Sequence, residues 1–235
     1  MELADLAWTD VEDVDTRVAL VPVGSTEQHG PHAPLGTDTI LAEAVAKKGA
    51  AIADQPVIIG PTLPIGIAAE HREFAGTFWL EPDTFRRVLT ELCVSAMYHG
   101  WDRIIIVNGH GGNSEAVREV AATVSREHRV DCTGFTWFEA IDLSPSAMGH
   151  GGTVETSALL ATAPDQVKRE RLQEAADGSS ERWGTWVGGT NLAVDADEFT
   201  ENGVVGDPTD ADAEWGGELL SRAGSALAEI IAEHS

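Results

Sequence analysis

Lysine is almost missing from this chain. Of 235 residues only Lys47, Lys48 and Lys168 are Lys, and the rest of the 15 basic residues are Arg. Against them stand 39 Asp and Glu, for a net charge of −24. So little positive charge argues against a nucleic-acid partner, because phosphate would be repelled. The acids are spread through the chain and form no tail, which argues against a disordered acidic arm. Cysteine is equally scarce. Cys93 and Cys132 stand alone, with no CxxC spacing, and read as buried reduced thiols. No apolar run approaches the roughly 20 residues that span a bilayer. The opening "MELADLAWTDVEDVD" lacks the basic-then-apolar order of a signal peptide. These absences predict a cytoplasmic protein with no membrane partner. They also resemble the acidic, Lys-poor surfaces of salt-in halophile proteins. At molar salt the Debye length is about 3 Å, so such a surface no longer repels itself.

What is present is a globular composition, 43% hydrophobic. With no internal repeat and no linker, residues 1–235 read as one domain with a sizeable core. Apolar, β-branched runs at Arg17–Gly24, Pro56–Thr62, Ile104–Val107 and around "VDCTGFTWF" read as buried strands. Between them lie helical patterns: Thr39–Ala53, then a stripe from Phe85 to Met97 with Asp83 as N-cap and Gly100 as stop. Further helices are predicted from Ser114, from Thr156 and over Asp212–Glu233, the last burying Trp215, Leu219, Leu220, Ala223, Leu227 and Ile230. Leu143–Asn202 reads as irregular. Strand–loop–helix repetition with fully apolar strands predicts an α/β fold, three layers α/β/α around a mostly parallel sheet. In such sheets chemistry sits beyond the carboxyl ends of the strands.

Two polar clusters follow predicted strands. "GSTEQHGPHAPLGTD" (24–38) carries Glu27, His29, His32 and Asp38 on a segment too rich in Gly and Pro for regular structure. Glu27 and His29 are two apart, so in an extended stretch both face one way and can face one ion. Two carboxylates and an imidazole suit Zn²⁺ or Mn²⁺. "NGHGGN" brings His110 after the third strand. Taken singly, Asp38 is also a plausible helix cap, His29 or His32 a surface histidine, and "NGHGGN" an anion-binding turn. Ser25 lacks the G-x-S-x-G context of a nucleophile, and the glycine spacing is no dinucleotide fingerprint. A third cluster, "MGHGGTVETSALL", contributes His150 and Glu155.

These motifs, with "AEHREFAGT" and "GDPTDADAEWG", resemble the creatininase family of metal-dependent amidohydrolases over nearly the whole chain. The resemblance implies hydrolysis of a C–N amide bond by a metal-bound hydroxide shared between two divalent ions, Zn²⁺ or Mn²⁺ with Fe²⁺ also admissible. It implies a homohexamer. It makes Glu27, His29, Asp38 and His110 metal ligands, with Asp38 bridging. Creatinine-hydrolysing members carry Tyr and Glu after the histidine that matches His110, where this chain has Gly111 and Gly112. Glu155 is the expected replacement ligand. His150 is the expected proton shuttle, and Glu70, His71 and Gly111 the expected substrate-binding positions, with Trp183 and Trp186 as cover. The motif form looks closer to members that trim the mycofactocin precursor peptide than to the formamide-hydrolysing branch. The expected substrate is a cyclic amide such as creatinine or a related small-molecule or short-peptide amide, and the Gly111–Gly112 pair points to one larger than creatinine. The rival reading is a non-catalytic metal- or ligand-binding protein on the same scaffold.

Overall fold

The computed structural model describes residues 1–143 and 148–233. Part of the stretch Leu143–Asn202, which reads as irregular in the sequence, therefore lies outside the described residues. The elements run α1 (Trp8–Glu12), β1 (Val18–Val23), α2 (Thr37–Ile52), β2 (Ile58–Ile59), α3 (Pro82–Tyr98), β3 (Arg103–Asn108), α4 (Ser114–His128) and β4 (Asp131–Thr136). Then come α5 (Thr153–Thr162), α6 (Leu172–Asp177), the hairpin β5 (Trp186–Val187) and β6 (Thr190–Asn191), and α7 (Ala213–Glu233).

The main sheet has the order β2-β1-β3-β4, with every pair parallel. All six residues of β1 are buried, as expected of a strand covered on both faces. Alternate side chains go to opposite layers. Val18 and Leu20 join Leu41 and Val45 of α2, Leu159 of α5 and Leu219 and Leu227 of α7. Ala19, Val21 and Val23 join Phe85 and Leu89 of α3 and Val117, Val120 and Val124 of α4. Each fully buried Leu, Ile or Val contributes about 1.5–3 kcal/mol, so these two clusters hold the three layers together. The predicted three-layer α/β architecture is the observed one.

Several boundaries differ from those read in the sequence. The strand expected over Pro56–Thr62 pairs only at Ile58–Ile59, since Pro56 and Pro61 have no N–H to donate. Helix α2 begins at Thr37, with Gly36 as N-cap, so Asp38 lies inside the first turn and caps nothing. Asp83 is not the N-cap of α3; Glu81 is, and Pro82 takes the first helical position, where its fixed φ and missing N–H cost nothing. Helix α5 starts at Thr153, three residues early, and β4 stops at Thr136 before a 3₁₀ turn. In α7 it is Ile231 that is fully buried, while Trp215 and Ile230 are half-buried. The stretch expected to be irregular contains α6 and the β5–β6 hairpin.

The chain leaves β1 toward β2 on one side and leaves β3 toward β4 on the other. The two departing loops open a crevice between β1 and β3, the position where open parallel sheets bind ligands. Those loops carry residues 24–38 and 109–113.

Candidate metal centre

The loop after β1 is held by its own backbone. The Glu27 amide donates to the Leu35 carbonyl at 3.0 Å, and Thr37 Oγ1 donates to the Pro34 carbonyl at 2.7 Å. This folds Glu27, His29 and Asp38 inward, and all three are buried. The loop after β3 approaches α2 closely. A Cβ at Gly109 would overlap the Asp38 carbonyl, so only glycine lets His110 reach Asp38. The asparagines of "NGHGGN" tie the loop down. Asn108 Nδ2 donates to the His110 carbonyl at 2.8 Å, and Asn113 Nδ2 donates to the Gly24 carbonyl at 2.9 Å. These bonds to neighbouring backbone account for both asparagine amides.

Asp38 stands between two histidines. Its Oδ1 is 3.1 Å from His29 Nε2, and its Oδ2 is 3.2 Å from His110 Nδ1. His110 Nδ1 is also 3.2 Å from Glu27 Oε1. Glu155 Oε1 lies 3.9 Å from His29 Nε2, and Glu155 Oε2 accepts the Gly151 N–H at 2.6 Å. Two groups of donor atoms result, each within 4.8 Å: Glu27, Asp38 and His110, and His29, His150 and Glu155. A third group joins Glu27, His71 and His150. Among the described residues no such group holds both Glu27 and His29. Glu27 and His29 fall in two adjacent groups, and Asp38 reaches the histidine of each.

The remaining ring nitrogens are already engaged. His29 Nδ1 lies 3.2 Å from the Glu27 carbonyl and His110 Nε2 lies 2.7 Å from the Ile67 carbonyl. A carbonyl only accepts, so those nitrogens carry the protons and Nε2 of His29 and Nδ1 of His110 point inward. By contrast, both oxygens of Glu27 and Oδ2 of Asp38 are buried with no hydrogen-bond donor. Buried carboxylate oxygens without donors are costly unless a cation meets them.

The electrostatics agree. Burial opposes charge on His29, but Asp38 and Glu155 outweigh it and raise its pKa to about 10. His110 is likewise raised by Glu27 and Asp38 against the cost of burial. Burial, with Asp38 adding, lifts Glu155 to about 7 even though His29 pulls the other way. Burial together with His29 and His71 holds His150 well below the ordinary histidine value.

A cavity of about 620 Å³ opens over the cluster. His71, His110, Gly111, His150 and Glu155 line it, as do Glu70, Trp183 and Trp186. Each residue expected at the site is therefore at or beside it. Trp183 is half-buried and meets the His71 ring edge-on at a centroid distance of 5.4 Å, whereas Trp186 is 45% exposed at the rim. A Cβ at Gly111 would meet open space, but one at Gly112 would overlap the Ile67 carbonyl and lie 3.2 Å from Glu70 Oε1. The absent side chain at 112 is thus compensated in volume by the Ile67–Glu70 turn. Burial raises the pKa of Glu70. Gln28 carries no expected role in the sequence, and His71 only that of a substrate-binding position. Nothing local marks either one, because their partners are 43 and 175 residues away.

Three similarities are informative. A family model described as creatininase, creatinine amidohydrolase, matches residues 4–231. The mycofactocin precursor peptide peptidase of Mycolicibacterium smegmatis is 36% identical over 224 residues, spanning 91% of this chain and 84% of that one. A manganese creatininase structure superposes with a TM-score of 0.83 at 24% identity, covering 99% of this chain and 97% of the other.

Proposed function

The chain belongs to the creatininase family, and from that membership we propose a hydrolase of C–N amide bonds that works with two divalent cations. Glu27, Asp38 and His110 would hold one ion, and His29 and Glu155 the other, with Asp38 shared. The observation that carries this reading is the convergence of two buried carboxylates, Glu27 and Asp38, on the one ring nitrogen His110 Nδ1, at 3.2 Å each, with Glu27 Oε2 buried and without a partner. The donor set of two imidazoles and three carboxylates suits Zn²⁺ or Mn²⁺. Such ions supply a water of lowered pKa and polarisation of the substrate carbonyl.

The protein's own groups do the rest. His150 Nε2 is committed to the Gln28 carbonyl at 2.6 Å, so only Nδ1 can take a proton. That nitrogen belongs to a residue lining the cavity, so it is placed to accept a proton as water attacks and to return it to the leaving nitrogen. Trp183 and Phe138 add aromatic surface to the cavity wall. A cavity of about 620 Å³ is in the range of drug-sized ligands, and Gly111 leaves its wall open. This favours a peptide or similarly large amide, in line with the 36% identical peptide peptidase, over a single small ring. The same reading makes the protein a cytoplasmic homohexamer adapted to concentrated salt, which light scattering in molar KCl checks.

The test is steady-state kinetics with Zn²⁺ or Mn²⁺, comparing creatinine, short C-terminal peptides and formamido-pyrimidines by kcat/KM, alongside metal analysis. We expect about two ions per chain and the highest efficiency on a peptide. Creatinine turned over as well as every alternative would overturn the substrate reading. Metal bound with no turnover of any amide would favour the non-catalytic alternative.

A further inference from the structure

The two histidines over the cluster are stacked, His71 on His150, with ring centroids 4.4 Å apart and planes 24° from parallel. Both touch Gln28. The backbone carbonyl of Gln28 is 2.6 Å from His150 Nε2, and its side-chain nitrogen Nε2 is 2.8 Å from His71 Nδ1. A glutamine amide is ambiguous until its partners are known. Here they are unambiguous. Gln28 Oε1 accepts the Gly30 backbone N–H at 2.9 Å, and a backbone N–H can only donate. Gln28 Nε2 donates to the Gly203 carbonyl at 3.0 Å, and a carbonyl can only accept. The amide nitrogen therefore faces His71, and its second hydrogen points at Nδ1. That nitrogen has to be an acceptor, so the His71 proton sits on Nε2. The seat is built for this. Gly203 has φ +82°, and a Cβ there would overlap the Gln28 amide.

We infer that Gln28 is a positioning residue that sets the two stacked histidines in complementary roles: His71 presents Nε2–H as a fixed proton donor, and His150 presents Nδ1 as a lone pair. His71 Nε2 points to the Glu27 side of the site, 3.6 Å from Glu27 Oε1, and His71 lines the cavity. A neutral N–H held there donates to an oxygen of the substrate, where negative charge develops during amide attack. It also means that His71 is not a metal ligand. Binding a cation through Nε2 would require the proton to move to Nδ1, against the Gln28 N–H. The donor role in turnover rests on the hydrolase reading above; the tautomer assignment does not.

The experiment is long-range ¹H–¹⁵N NMR of the histidine rings in the zinc-loaded full chain, for wild type, Gln28→Glu and Gln28→Met. Wild type is expected to show His71 with Nε2 protonated and Nδ1 bare. A carboxylate at position 28 has acceptors only, so in Gln28→Glu His71 Nδ1 should gain a proton. In Gln28→Met, with neither donor nor charge, His71 should lose its single fixed tautomer. His150 should keep Nε2–H in every variant, because a backbone carbonyl holds it. Metal content should be unchanged while kcat falls at least tenfold with a smaller change in KM. A protonated or zinc-bound His71 nitrogen in the wrong place in wild type overturns the inference. So does a His71 pattern in both variants identical to that of wild type. Tautomers that behave as expected with kcat unmoved would leave the assignment standing and remove the donor role.

Discussion

Asp38 is the residue on which the proposed centre turns, because its two oxygens address different histidines. Removing it should therefore uncouple both groups. We expect Asp38→Ala to retain almost none of the two ions, and Glu155→Gln to weaken one selectively while abolishing turnover; retention of both ions by Asp38→Ala would remove the bridging role. His32 supports the same loop from behind. Its Nε2 is 2.9 Å from Thr156 Oγ1, and the residue is fully buried. Burial, reinforced by the charge on His29, lowers its pKa to about 4, below the roughly 6.5 of an unfolded chain. The unfolded state therefore binds the proton first. His32 contributes stability above pH 6.5 or so, and this is lost as pH falls toward about 4. Urea midpoints across that window should drop less steeply in His32→Gln than in wild type. Parallel curves would show that His32 takes no part.

At the scale of elements, Glu155 reaches the centre only because α5 is pressed against α7. A Cβ at Gly216 of α7 would overlap the Ser157 carbonyl, and the Asp212 amide donates to Ser157 Oγ at 2.9 Å. The crossing thus needs glycine. Gly216→Ala should destabilise the fold by about 1–3 kcal/mol through overpacking, read as a shift in urea midpoint. It should also weaken metal binding, since α5 carries Glu155 in its first turn. Unchanged stability would mean that the two helices separate freely. A second tie holds the His71 turn. Arg72 pairs with Asp195, which joins that turn to the segment bearing Trp183.

Over the whole molecule, charge dominates. Net −24 with three lysines leaves few attractive partners for the surface acids, and among the described residues no helix is long and apolar enough to cross a membrane. Self-repulsion of that size destabilises a compact state in dilute buffer and is screened at molar salt. Thermal unfolding midpoints should rise steeply from dilute buffer to molar KCl. A flat response would exclude salt adaptation as the reason for the composition.

Layering, strand direction and the edge of the sheet that bears the site followed from local pattern, because a strand buried on both faces reads as a continuous apolar run, as β1 and Ile104–Val107 of β3 do. Glu27, His29, Asp38 and His110 stood out as metal-capable side chains in loops after recognisable strands, and the family resemblance made them candidate ligands. Element ends were less legible, since Pro82 and Gly36 rather than Asp83 and Asp38 decided where helices begin. What the residues alone could not determine was the division of the donors into two groups, the filling of the space beside Gly112 by Glu70, and the tautomers set by Gln28. Each depends on atoms from separate loops that only the fold brings together, the Gln28 bonds joining residues 43 and 175 positions apart. A hydrogen-bond direction is a property of the pair, so it exists only once the fold has placed both partners.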